Sequence, residues 1–186
     1  MSETRARILR VTRDLYLSEG AAAVSTRRVA ERVGVTATAL YRHFPGKDAL
    51  VEEVVSEAYR VFAGYLEQSL EGRTPGERLK RSGGAYLRFA LEQPEMYRTI
   101  FMTGAPGSGG DHRRRATFSF LVDRVRECVE GGELRPGDPE EIAVTIWAHV
   151  HGLVSLHIAG ALGGGEEAFR GLYSASLGRL FRGLLP

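Results

Sequence analysis

Apolar residues recur along this chain with a helical period from end to end, and nowhere do they alternate as they would on a strand. Ile8, Val11, Thr12, Leu15 and Tyr16 form a 3.6-residue stripe, which predicts a first helix stopped by Gly20. Ser25 or Thr26 is placed to cap a second helix that buries Val29, Ala30 and Val33, and Gly34 breaks it. Thr36 caps a third, short helix that buries Leu40 and ends before Phe44-Pro45-Gly46.

Longer elements follow. Leu50, Val54, Ala58, Val61 and Tyr65 run at helical spacing to about Gly72. Thr74-Pro75 opens the next helix, with proline at its first position, and Gln93-Pro94 interrupts it. A short helix passes through Tyr97 and Phe101. The Gly- and Pro-rich run from Gly104 to Gly110 reads as a loop. Phe118, Val122, Val125 and Val129 mark a helix closed by Gly131-Gly132. Asp138-Pro139 starts another that runs to Gly160, and a last one carries Phe169, Tyr173, Leu177 and Leu180. The fold class is all-α, with about nine helices. Three form an N-terminal head over 1–47, and six form a body over 48–186.

Composition narrows the class. The 43% hydrophobic content supports a packed core rather than wholesale disorder. No run of ~20 apolar residues exists, so no membrane span is expected. The N-terminus lacks the apolar segment of a secretory leader. Cys128, the only cysteine, can form no internal disulfide, and a reducing cytoplasm is the expected location. The net charge of +2 hides a split. Residues 1–47 hold nine Lys and Arg against four Asp and Glu, whereas 48–186 hold sixteen against nineteen. A basic head on a mildly acidic body suits an N-terminus that meets phosphates.

The stretch Ser25–Phe44 supplies the chemistry for that meeting. Two short helices joined at Gly34 make a helix-turn-helix, in which the second helix enters the major groove and the first crosses the backbone. Thr36, Ala37, Thr38 and Ala39 are small and let that helix sit deep. Thr methyls and Ala can touch a thymine methyl, and an Arg can fork onto guanine. Tyr41, His43 and Lys47 supply phosphate donors.

Residues 1–50 resemble the DNA-binding head of the TetR family of bacterial regulators. The matching positions are Arg7-Ile8-Leu9, Thr26, Val29-Ala30, Gly34-Val35, Leu40-Tyr41, His43-Phe44, Lys47 and Leu50. The commonest family pattern has Ala before the Gly-Val turn, Ser after it and often Gly two residues later. This chain has Val33, Thr36 and Thr38 there, which bears on the operator sequence rather than the fold. The resemblance implies that Thr26 and Thr36 cap helices and also donate to phosphates. It implies that Arg27 reaches a base edge or nearby phosphate, that Ala37, Thr38 and Arg42 face the groove, and that Tyr41, His43 and Lys47 hold the backbone.

The body is larger than a DNA clip needs. The resemblance implies a sensor and homodimerisation domain, in which two heads meet successive major-groove faces of a palindromic operator in double-stranded DNA. The residues support this reading. The helix over about 138–160 is apolar on more than one side, and the helix over about 165–184 carries a second, small-residue stripe of Gly171, Ala175 and Gly178. The homodimer is therefore expected through these last two helices. Trp147-Ala-His-Val-His151-Gly152 resembles the Trp-His-Gly type of C-terminal domain found in one branch of these regulators.

An unidentified small-molecule inducer, apolar or aromatic, is expected between the body helices. Tyr86, Phe89, Tyr97, Phe101, Met102, Phe118, Phe120, Trp147 and His151 are the candidates to line its site, as aromatics with a few polar tips. His149 and His151 diverge by ~200° on a helix, and no carboxylate or cysteine pattern completes a metal site, so neither metal nor cofactor is expected. No nucleophile–base pair or paired carboxylates argue for an enzyme, and the 104–110 glycines lack the Gly-Lys-Ser/Thr ending of a phosphate loop. The expected function is a repressor released from its operator by ligand. The alternative is a helix-turn-helix regulator with no small-molecule ligand, controlled by a protein or acting as an activator.

Overall fold

The computed structural model describes residues 2–102 and 108–186, the side chains of 108–111 excepted. Its described elements are nine α-helices with short 3-10 turns at Ala21–Ala23 and Gln68–Glu71, and no strand. The helices are α1 (Glu3–Glu19), α2 (Thr26–Val33), α3 (Ala37–Tyr41), α4 (Lys47–Glu67), α5 (Pro75–Glu92), α6 (Pro94–Phe101), α7 (Ser108–Glu130), α8 (Pro139–Ile158) and α9 (Gly165–Leu184).

Local signals set most of these boundaries. Ser2, Ser25, Thr36, Thr74 and Asp138 each accept a hydrogen bond from a backbone N–H in the first turn that follows. Each cap satisfies one of the N–H groups that a helix start leaves without an intrahelical acceptor. Ser25, not Thr26, caps α2, and Thr26 is its first helical residue. The expected capping role of Thr26 is thus corrected: only a residue in extended backbone can turn its own side chain onto the N–H of the third residue on. The start of α7 corrects a second expectation. Residues 108–110, read as loop, are helical, whereas 104–107 lie outside the described residues.

The chain divides into two compact units, residues 1–62 with 95–114 and residues 63–94 with 115–186. The first unit has a core in which Ile8, Leu15, Val24, Val29, Leu40 and Leu50 are wholly buried. The opening turns of α4 supply Leu50, Val51, Val54 and Val55 to it. Each such side chain contributes about 1.5–3 kcal/mol by leaving water. In the second unit, Leu79, Val125, Cys128, Leu134, Ala143 and Ile146 form a core flanked by Phe118, Ile142, Leu180 and Phe181. Burial, helped by the charges of Glu133 and Glu127, pushes the Cys128 thiol up to about 11. Cys128 is therefore an un-ionised, small apolar filler.

Candidate functional site

The helix-turn-helix is fixed at three points. Gly34 ends α2 in the left-handed region at φ 76°, where a Cβ would be strained. Its N–H donates to the Ala30 carbonyl at 2.9 Å, and that of Val35 donates to the same oxygen at 3.0 Å. Thr36 Oγ1 then accepts from the Ala39 N–H at 3.1 Å and starts α3. Behind the turn, Arg7 of α1 donates from Nη2 to the Val33 carbonyl at 2.6 Å. This Arg7 bond satisfies one of the free carbonyls at the end of α2 and braces the turn against α1.

The outward face carries the candidate DNA contacts. Ala37, Thr38, Tyr41 and Arg42 are exposed, and His43 and Lys47 are half-buried. Tyr41 is 52% exposed, so its ring serves the surface and not the core. Its hydroxyl lies 3.3 Å from Thr26 Oγ1, which ties the first turn of α2 to the end of α3. Two of the expected contact residues thus share one polar patch, with hydroxyl hydrogens to offer a phosphate.

Ion pairing separates the cations of this unit. Arg28 forks onto both oxygens of Glu19 at 2.8 and 2.7 Å, and Arg32 reaches the same carboxylate at 3.4 Å. The Arg28 hydrogen bond holds the Glu19 carboxyl below its ordinary pKa. Arg5 pairs with Glu53, and Arg13 with Glu57. Arg27, with its side chain 88% exposed, is bound by Glu31 one turn on at 2.9 Å, which raises its pKa further. By contrast, Arg10, Arg42 and Lys47 make no ion pair among the described residues. Arg42 and Lys47, both predicted contacts, thus keep their charge available. The bracing by Arg7 and the holding of Arg28 and Arg32 by Glu19 were not foreseen. Glu19 lies nine and thirteen residues from its partners, beyond any single-helix spacing rule.

Each unit holds some of the expected ligand-lining residues. In the second unit, Tyr86, Phe118, Trp147 and His151 come together. The Trp147 ring lies 6.0 Å from Phe118 and 5.6 Å from His151, centroid to centroid. His151 Nδ1 is 3.0 Å from the Tyr86 hydroxyl, and its Nε2 is 3.4 Å from Ser155 Oγ. Burial lowers the His151 pKa, so the ring is a neutral imidazole with one donor and one acceptor nitrogen. Phe89, wholly buried, packs edge-on against Tyr65, and the Phe120 ring lies under the Arg124 guanidinium at 4.9 Å. Tyr97 and Phe101 form an aromatic group with Phe62 in the first unit, whose Met102 is exposed. His149 bonds Ser176 at 3.0 Å, and His157 stacks flat on Phe169 at 3.9 Å, so both serve packing.

Comparison with known proteins gives two family matches. Residues 8–54 match the family described as bacterial regulatory proteins, tetR family, and residues 79–180 match the tetracyclin repressor-like C-terminal domain. A nucleoid occlusion factor SlmA of Marinobacter nauticus is 29% identical over 136 residues, covering 72% of this chain and 70% of that protein. A solved structure of a protein with unknown function from Rhodococcus sp. RHA1 is 26% identical, with a TM-score of 0.83 over 100% of this chain and 97% of that one. AibR, solved with isovaleryl coenzyme A and operator DNA, has the same fold at 19% identity and a TM-score of 0.73, covering 93% of this chain and 97% of that one.

Proposed function

The chain belongs to the tetR family of bacterial regulatory proteins and is a DNA-binding transcriptional regulator; from that premise we propose a homodimeric repressor that a small apolar or aromatic molecule releases from a palindromic operator. Residues 1–47 are the reading head and 48–186 the ligand and dimer domain. The observation that carries the DNA contact is the face where Arg42 and Lys47 lack ion pairs among the described residues, beside the Thr26–Tyr41 hydroxyl pair. Ala37 and Thr38 offer few hydrogen bonds, so base reading rests on Arg42, on Arg27 once it leaves Glu31, and on thymine-methyl contacts.

The dimer rests on apolar surface of the second unit. Val144 (47%) and Leu156 (48%) on α8 and Leu172 (39%) on α9 are exposed, next to exposed Ala148, Gly171 and Ala175. Two helices packed on one another and still apolar outward fit burial against a second copy, with half-sites about 34–36 Å apart on the DNA. The ligand site is the Tyr86–Phe118–Trp147–His151 cluster, in the segment assigned here to the Trp-His-Gly branch. AibR, of the same fold, holds an acyl coenzyme A as well as operator DNA, which supports ligand control here. The ligand shifts the population toward a state whose two heads no longer match successive grooves.

Operator selection from random DNA, followed by binding assays, tests this reading. Tyr41→Ala and Lys47→Ala weaken binding to all sequences, whereas Arg42→Ala changes the sequence preference. Equal loss for Arg42→Ala across operator variants would remove its base-reading role. A ligand that binds the second unit without changing operator affinity would favour the alternative, control by a protein partner.

A further inference from the structure

The short helix α3, Ala37–Tyr41, buries only Leu40. Isolated helices below about 12–15 residues are marginal in water, so α3 does not hold its own axis. Its angle is set by Leu40 and by what grips its two ends. We propose that Arg5 and Arg7 of α1 are positioning residues for DNA reading: they clamp the exit and the entry of α3, fix its angle in the groove, and do not themselves touch DNA. The proposal rests on the role of α3 as the reading helix.

Arg7 grips the entry. Its Nη2 donates to the Val33 carbonyl at 2.6 Å. Val33 is the last residue of α2, and the turn over 34–36 leads from it into α3. A helix C-terminus carries partial negative charge and carbonyls with no intrahelical partner, so a guanidinium suits it. Arg7 makes no ion pair among the described residues, so no such carboxylate competes with this carbonyl for it. A bond from a charged donor is also stronger than one between neutral groups.

Arg5 grips the exit. Phe44 lies three residues beyond α3, and its N–H donates to the Leu40 carbonyl at 3.0 Å. Its ring is buried in the core of the first unit. The Arg5 guanidinium sits over that ring, 5.0 Å from the centroid, an attractive placement of a cation on an aromatic face. Glu53 of α4 holds Arg5 there at 3.1 Å. Two residues apart on one helix, Arg5 and Arg7 diverge by ~200°, so neither can stand in for the other. The donors of both side chains are engaged within the protein, which separates them from Arg42 and Lys47.

The test is fluorescence anisotropy of the full chain on its selected operator and on a random-sequence duplex, over a range of salt. Arg7→Met keeps the apolar stem and removes the guanidinium. It lowers operator affinity about tenfold or more and leaves random-sequence affinity and the salt slope as they are, because the slope counts phosphates neutralised. Arg5→Ala lowers operator affinity about threefold to fivefold with the same two quantities kept, and Glu53 retains Arg60 at 3.2 Å. Arg7→Lys, which keeps a charged donor, restores most of the operator preference. Circular dichroism and Tm establish that each variant is folded at the assay temperature; a role in stability alone would then leave operator affinity at its native value. An undiminished ratio of operator to random-sequence affinity in Arg7→Met overturns the proposal. A slope reduced by about 1, with equal loss on both duplexes, overturns it in favour of a phosphate contact. Should Arg7→Met fail to fold, Arg5→Ala decides by the same ratio. A native chain with no preferred sequence overturns both the clamp and the reading role on which it rests, whereas an undiminished ratio overturns the clamp alone.

Discussion

In the first unit, Arg42 and Lys47 stand at the surface with no ion pair among the described residues, and the hydroxyls of Thr26 and Tyr41 meet beside them. In the second unit, His151 has a hydroxyl at each ring nitrogen, and Trp147 lies against its ring. The two proposed sites therefore start from opposite conditions. A phosphate backbone arriving at the first has one ion pair to displace, Arg27 with Glu31. A molecule arriving at the second must replace hydrogen bonds that already exist, in a place where an unmatched polar atom is costly. The difference teaches where specificity can arise: by long-range attraction and a few forks onto bases in the first unit, and by complementarity to a satisfied interior in the second.

The largest effect that would break this contrast concerns the scaffold. Leu40 is wholly buried and holds α3 against the core of the first unit. Leu40→Ala costs about 2–5 kcal/mol of stability, read by denaturant unfolding, and abolishes operator binding. If operator affinity survives at full strength, the short helix is held by something other than this core.

Next come the free cations. Arg42→Ala costs about 1–3 kcal/mol of operator affinity and relaxes the preference at one base position, read by fluorescence anisotropy on operator variants. Lys47→Ala lowers affinity for every sequence and reduces the salt slope by about 1. An unchanged slope would show that Lys47 contacts no phosphate.

The pH dependence sharpens the other half of the comparison. Burial depresses the His151 pKa, so below about pH 6.5 the unfolded chain takes up a proton that the folded chain resists. Stability from this group is thus complete above that pH and is lost as pH falls toward the folded value. His151→Gln removes the titration, and its Tm falls less than that of the native chain between pH 7.5 and pH 5.5. Parallel curves would mean that His151 titrates normally. The smallest effect is a gain: Glu31→Gln releases Arg27 and raises DNA affinity a few-fold at low salt, as expected for an exposed pair.

Much of the first unit was legible because its determinants are local. A Ser or Thr cap, a left-handed Gly34 and a three-to-four-residue apolar spacing act within one or two turns, and they place α1 to α3 where periodicity puts them. What escaped there was long in sequence separation: Arg7 reaching Val33, and Glu19 gathering Arg28 and Arg32. The aromatic cluster was only half legible for the same reason. Periodicity marks Phe118 and Phe120 alike as candidates, but only packing shows Phe118 beside Trp147 and Phe120 under Arg124. The small stripe Gly171, Ala175 and Gly178 on α9 was visible in the sequence, but glycine inside a helix reads the same whether it admits a neighbour or leaves a space.

The central claim is that α2 and α3 read DNA with Arg42 and, at the start of α4, Lys47 as free cations, twice over in a symmetric dimer. Selection from random DNA by the full chain, with the double variant Arg42→Ala/Lys47→Ala in parallel, tests it most directly. The native chain should enrich a palindrome with half-sites about one helical turn apart, and the double variant should enrich none. Equal enrichment by both, or no enriched sequence for the native chain, would contradict it.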